Sequence, residues 1–154
     1  MVEGGGPKSV IGESRDERLA ADRSFLETFE AAKVTADGWT HEAHLRAAFG
    51  LVRRYGLHEG LLRMRAGIFA LNAAHGTATT SVRGYHETLT VAWFTLIAAA
   101  VRDTSALDFA QLVRDRPELL DPNALDTHYS PERLGSLEAR ARYVRPDRML
   151  LPAV

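Results

Sequence analysis

The chain has 154 residues, 45% of them hydrophobic and 25% charged, which suits one globular domain and excludes disordered, collagen-like and low-complexity classes for most of its length. Its 19 basic and 20 acidic residues leave a net charge of −1 with neutral histidine, so no global positive field exists to hold nucleic acid or an anionic membrane. Cysteine is absent, which excludes disulfides, thiolate catalysis and Cys-ligated zinc or iron–sulfur clusters.

Residues 1–14 contain Gly4-Gly5-Gly6, Pro7 and Gly12 and read as a disordered tail, leaving 15–154 as a single helical domain. The tail has no signal-peptide apolar region. The longest apolar stretch, Val91–Val101, is broken by Thr95. It is too short to span a bilayer, which takes about 20 residues. The expectation is a cytoplasmic protein.

A first helix is expected at Arg15–Lys33, with Leu19, Phe25, Leu26 and Phe29 along one side. Asp37-Gly38 signals a turn, and Thr40 is placed to cap a second helix over His41–Tyr55. Gly56 stops it. A third helix, Leu57–His75, carries Leu61, Met64, Ile68 and Leu71, although Gly60 and Gly67 each weaken a helix by about 1 kcal/mol against Ala. Gly76 closes it as a C′ glycine. A fourth, Val82–Arg102, is apolar nearly all round from Leu89 to Val101, as a central helix would be. A short helix near Ala106–Asp115 ends before Pro117, and Asp121–Ser130 is irregular. Ser130-Pro131 opens a last helix to about Arg142, with Ser as cap and Pro at its first position. The remainder, 144–154, is extended.

These elements describe an all-α fold, an antiparallel bundle of four main helices plus a C-terminal helical extension. In such a bundle the starts of helices two and four share one end with the finishes of helices one and three. That end gathers His41, Glu42 and His44, then Asn72 and His75, then Tyr85, His86, Glu87, Thr88 and Thr90, with Glu30 nearby.

His41 and His44 stand three apart, so they share a helix face, and that face is the apolar one. His86 falls in register with Leu89 and Trp93. Buried rings need polar partners, so each could be a satisfied core or capping residue. Three together support chemistry instead. His titrates near neutrality and can both take and give protons. A Glu in a dry helix end would have a raised pKa and serve as an acid. His86 and Glu87 are the first candidates for proton transfer, with His41 and His44 sharing or orienting. Glu42, Asn72, Tyr85, Thr88 and Thr90 are candidate substrate contacts. Arg83 stands four residues before Glu87, so a salt bridge within the helix is the plain alternative for that carboxylate.

A His41/His44/His86 site for a divalent metal is the second enzymatic reading, since three imidazoles with an open position make a catalytic zinc pattern. No H-E-x-x-H motif accompanies it. Acid–base chemistry needs no cofactor. A non-catalytic helical binding module is a third reading. The expected partner is a small-molecule substrate, not nucleic acid or membrane, with a homodimer left open.

The runs Trp39-Thr40-His41-Glu42-Ala43-His44-Leu45, Arg65-Ala66-Gly67-Ile68 and Gly84-Tyr85-His86-Glu87-Thr88-Leu89-Thr90 resemble a family of small all-α bacterial proteins. So do Tyr129-Ser130, Arg133-Leu134, Ser136, Ala139-Arg140 and Pro146-Asp147. The resemblance spans roughly residues 20–152. It extends to cyclodehydratase-like proteins of nitroimidazole antibiotic biosynthesis, which close a guanidino aldehyde to a 2-aminoimidazole. The resemblance implies that the two His-bearing runs are the marked positions. The likeness to the cyclodehydratase-like proteins alone implies the chemistry, a lyase or cyclase in which a carboxylate holds the guanidinium while a base and an acid assist loss of water.

Overall fold

The computed structural model describes residues 12–154, so most of the expected tail lies outside the described residues. Ser14 belongs to the domain. Its hydroxyl accepts from Glu17 N (3.2 Å) while the Glu17 carboxylate accepts from Ser14 N (2.6 Å). This reciprocal pair caps α1 (Arg15–Glu30). The helix ends three residues earlier than the apolar pattern suggests, because Ala32 turns the chain with φ +54°.

Thr40 caps α2 (His41–Ala74), accepting from Ala43 N at 3.2 Å. Gly56, at φ +75° and ψ −170°, divides α2 into two arms, 41–55 and 57–74. That backbone region is open essentially only to glycine. The second arm folds back on the first, so a Cβ on Gly60 would lie 3.1 Å from the Leu51 carbonyl. The α2 end is closed by Thr77 N on Asn72 O (2.8 Å) and Gly76 N on Ala73 O (3.2 Å), with Gly76 at φ +66°.

The remaining elements are α3 (Glu87–Thr104), α4 (Phe109–Asp115), α5 (Pro131–Leu134) and α6 (Leu137–Ala141), with 3-10 turns at Pro117–Leu120 and Ala124–Thr127. All described regular structure is helical. Two further boundaries differ from the sequence expectation. α3 begins at Glu87 rather than Val82, because the His86 side chain caps it and 81–86 is a turn. The single last helix is two, because Gly135 closes α5 and Ser136 caps α6.

The second arm and α3 run antiparallel. Phe69 stacks on Tyr85, Arg65 pairs with Glu87, and Gly60 meets Phe94. α1 lies across the hairpin, meeting the first arm through Asp22–Arg46 and the second through Phe29 against Gly67. Phe29, Leu45, Leu51, Leu71, Phe94 and Ile97 are fully buried between these helices. Each contributes roughly 1.5–3 kcal/mol of burial.

A second cluster of Ala92, Leu125, Tyr129, Ala139 and Val144 fastens the C-terminal segment over α3. Tyr129 donates its hydroxyl to Val144 O (3.0 Å), and Asp147 accepts from Ser130 N (2.8 Å) and Ser130 Oγ (2.5 Å). Arg140 donates to Ser81 O, Gly84 O and Tyr85 O, holding the loop that leads into α3. The Tyr129–Arg140 motif is therefore a clasp. Among the described residues no helix is long and apolar enough to cross a membrane.

Candidate functional site

The hairpin brings both ends of α2 beside the start of α3, and a cavity of about 530 Å³ opens there. It is lined by His41, His44, Asn72, His75, Tyr85, His86 and Thr90, the convergence the helix order predicts. Aromatic rings form much of its wall, including Trp39, Trp93 and Phe94. The volume falls in the range of small-molecule sites, about 300–1,000 Å³.

Three of the imidazoles are fixed in the same way. His41 Nε2 meets Leu119 O at 2.9 Å, His44 Nδ1 meets Thr40 O at 2.6 Å, and His75 Nε2 meets Val34 O at 2.8 Å. A carbonyl only accepts, so each of these nitrogens carries the hydrogen. The neutral ring then keeps a lone pair on its other nitrogen: Nδ1 of His41, Nε2 of His44 and Nδ1 of His75. Among the described residues the only buried side-chain polar atom without a hydrogen bond is Arg18 Nε, an ion-pair partner of Asp108. None of the three lone-pair nitrogens is a buried orphan, and all three rings line the cavity.

Aromatic contacts set the ring positions. His44 stacks on Trp39 with centroids 3.8 Å apart, Trp39 stacks on Phe29, and His41 meets Trp93 edge-on at 4.6 Å. Burial lowers the His44 pKa, the nearby His41 lowers it further, and the bond to Thr40 O offsets only part. His44 is therefore a neutral imidazole at neutral pH.

The structure separates His86 from this set. Its Nδ1 accepts from Leu89 N at 3.2 Å, capping α3, and its Nε2 meets Leu134 O at 3.0 Å. Both nitrogens are committed. Burial lowers its pKa, and Arg140 adds to the shift. His86 lines the cavity as a structural wall.

Glu87, unlike His86, does not line the cavity. It faces an outer groove between the second arm and α6, where both its oxygens accept from Arg65 Nε at 3.1 and 3.2 Å. Arg65 Nη2 and the Tyr85 hydroxyl (2.5 Å) complete its shell. Burial pushes this carboxyl up, but Arg65 and Tyr85 outweigh it and hold it below the ordinary carboxylate value. A raised-pKa acid is thus replaced by a paired carboxylate, and its partner is Arg65 rather than Arg83. Arg63 pairs instead with Glu59.

Two candidate substrate contacts also fall away. Glu42 is exposed and lies outside the cavity lining. Thr88 is fully buried, donating to Arg142 O (3.0 Å) and accepting from Val144 N (3.1 Å), so it serves the clasp. Glu30 binds Tyr55 Oη (2.8 Å) away from the cavity. Asn72, Tyr85 and Thr90 do line it, with Thr90 also donating to His86 O (3.0 Å). Tyr85 lines both spaces, and its pKa is pushed up to about 12, chiefly by burial and then by Glu87.

Trp39 and Trp93 are cavity walls through the path of the 31–40 segment and the rotation of α3. His75 is pinned by Val34, a contact across 41 residues that no local pattern announces. A ring nitrogen held by a carbonyl is also how metal-binding imidazoles are oriented. Among the described residues, however, no three His, Cys, Asp or Glu side chains group closely enough to hold a metal ion.

No family model matches the chain, and neither the curated proteins nor the solved structures yield a significant match. The chemistry of the cavity therefore carries the functional argument.

Proposed function

We propose that this protein is a small-molecule enzyme of the dehydratase or cyclase type, working by imidazole acid–base chemistry. The observation that carries the reading is the trio of carbonyl-fixed imidazoles around one aromatic-walled cavity. Fixing the tautomer in advance removes a reorganisation that the transition state would otherwise require.

His44 Nε2 is the base. It takes a proton from an N–H or C–H of the bound substrate. A second imidazole lining the cavity, His41 or His75, once protonated gives its proton to the departing hydroxyl, which leaves as water. Asn72 and Thr90 orient the polar edge of the substrate. No redox cofactor enters this scheme. Neither Asp nor Glu lines the cavity, so a guanidinium would enter it without a counter-charge. The substrate class is therefore a small polar metabolite that is neutral or anionic.

The test is untargeted. Wild type and His44→Gln are incubated with a small-metabolite extract in D2O and followed by mass spectrometry. Wild type should convert at least one compound with loss of water or uptake of deuterium. The variant should do so roughly 10²–10⁴ times more slowly. A folded His44→Gln protein with undiminished turnover would sink the reading, as would an extract left unchanged by wild type.

A further inference from the structure

We propose that the cavity selects a small planar anion, a carboxylate that also carries N–H or O–H donors, with Arg83 as its counter-charge. The inference uses the same cavity as the proposed enzyme, but it concerns ligand charge and stands apart from proton transfer.

The first observation is electrostatic. Arg83 lines the cavity, and no carboxylate does. Other arginines around this end are committed: Arg65 to Glu87, and Arg140 to three loop carbonyls. The Arg83 guanidinium has neither ion pair nor hydrogen bond among the described residues. Its backbone is fixed, with Arg83 N donating to Thr80 Oγ1 (3.1 Å) and Thr80 N to Arg83 O (2.8 Å). Glu42 and Glu87, which adjoin His41 and His86 in sequence, are absent from the cavity lining. An anion in this space meets one attractive charge. A cation meets that charge as repulsion with nothing to offset it.

The second observation concerns shape and hydrogen bonding. The walls include the indoles of Trp39 and Trp93 and the rings of Tyr85 and Phe94. Flat faces favour a flat ligand. The lone pairs on His41, His44 and His75 need hydrogens, so a bare carboxylate is a poorer match than one with donors of its own. The carboxylate is directed toward Arg83 and the Asn72 amide, and the donors toward the imidazoles.

The chain has two tryptophans, and both line the cavity. Their fluorescence therefore reports occupancy with no added label. Three planar probes of matched size differ in the charge of one substituent and in the hydrogen bonds it makes: pyrrole-2-carboxylate, pyrrole-2-carboxamide and pyrrole-2-carboxamidine, which is cationic. The carboxylate should bind about tenfold or more tighter than the amide, and the amidine weaker than either. Arg83 is exposed and unengaged, so Arg83→Gln should keep the wild-type circular dichroism while bringing the carboxylate down to the affinity of the amide. An amidine that binds as tightly as the carboxylate would overturn the proposal. So would a carboxylate preference that survives Arg83→Gln, or three probes that leave the fluorescence unchanged. A preserved anion preference in a protein without turnover would instead reject the enzyme reading alone.

Discussion

His44 lies face to face with Trp39, the ring centroids 3.8 Å apart and the planes 30° from parallel. One ring nitrogen is bonded to Thr40 O, so only the other keeps a lone pair. Burial then sets the titration, holding the His44 pKa below the ordinary histidine value of 6.5. The sign for stability follows. The unfolded chain protonates this ring first, so the contribution of neutral His44 is whole above about pH 6.5 and is lost as pH falls toward the folded-state pKa. His86 adds to the same limb. The measurement is an NMR titration of the histidine ring protons beside urea melts from pH 7.5 downward. The His44 and His86 midpoints should lie below 6.5, and stability should decline as pH falls from there. A His44 midpoint above 6.5 would contradict the burial argument.

The alkaline side has its own marker. Tyr85 is buried, and its hydroxyl donates to a carboxylate that would repel a phenolate. Its pKa of about 12 stands above the usual 10. Its contribution to stability is whole below about pH 10 and is lost as pH rises toward 12. Tyr85→Phe should flatten the decline in melting temperature between those values. An unaltered slope would mean that another group governs alkaline unfolding.

Gly67 tests the packing of α1. A Cβ at this position would overlap the Phe29 ring, which is fully buried against Trp39. Intrinsic helix propensity favours Ala over Gly by about 1 kcal/mol, but overpacking a filled core costs roughly 1–3 kcal/mol. The second effect should win. Gly67→Ala is expected to lower stability in urea melts despite improving the helix on paper. Gly67→Ala paired with Phe29→Leu should recover part of the loss.

The helices were legible because their signals are local. Thr40, Gly56, Gly76 and Pro131 each act within one turn of their own position, and each punctuates the chain where its chemistry requires. The gathering of His41, His44, Asn72 and His75 was legible too, since helix order alone decides which ends meet. The role of each polar group was not. Glu87 and His86 are neighbours in sequence yet face different spaces, because His86 caps α3 and Glu87 starts it. Whether a carboxylate is a raised acid or a paired anion depended on Arg65, 22 residues away. Thr88 looked like a substrate contact because nothing local shows that the C-terminal segment returns to cover it.

That return provides the final test. Thr88 Oγ1 is the one side-chain group joining α3 to both Arg142 O and Val144 N. Thr88→Val keeps the volume and removes both bonds, leaving a buried N–H and a carbonyl unpaired at about 1–3 kcal/mol each. The clasp should loosen first. Limited tryptic digestion should then cut after Arg142 faster than in wild type. The cavity walls on α2 do not depend on Thr88, so acrylamide quenching of Trp39, read in a Trp93→Phe background, should barely change. A variant as resistant as wild type would show that the Tyr129, Ala139 and Val144 cluster holds the segment without this threonine.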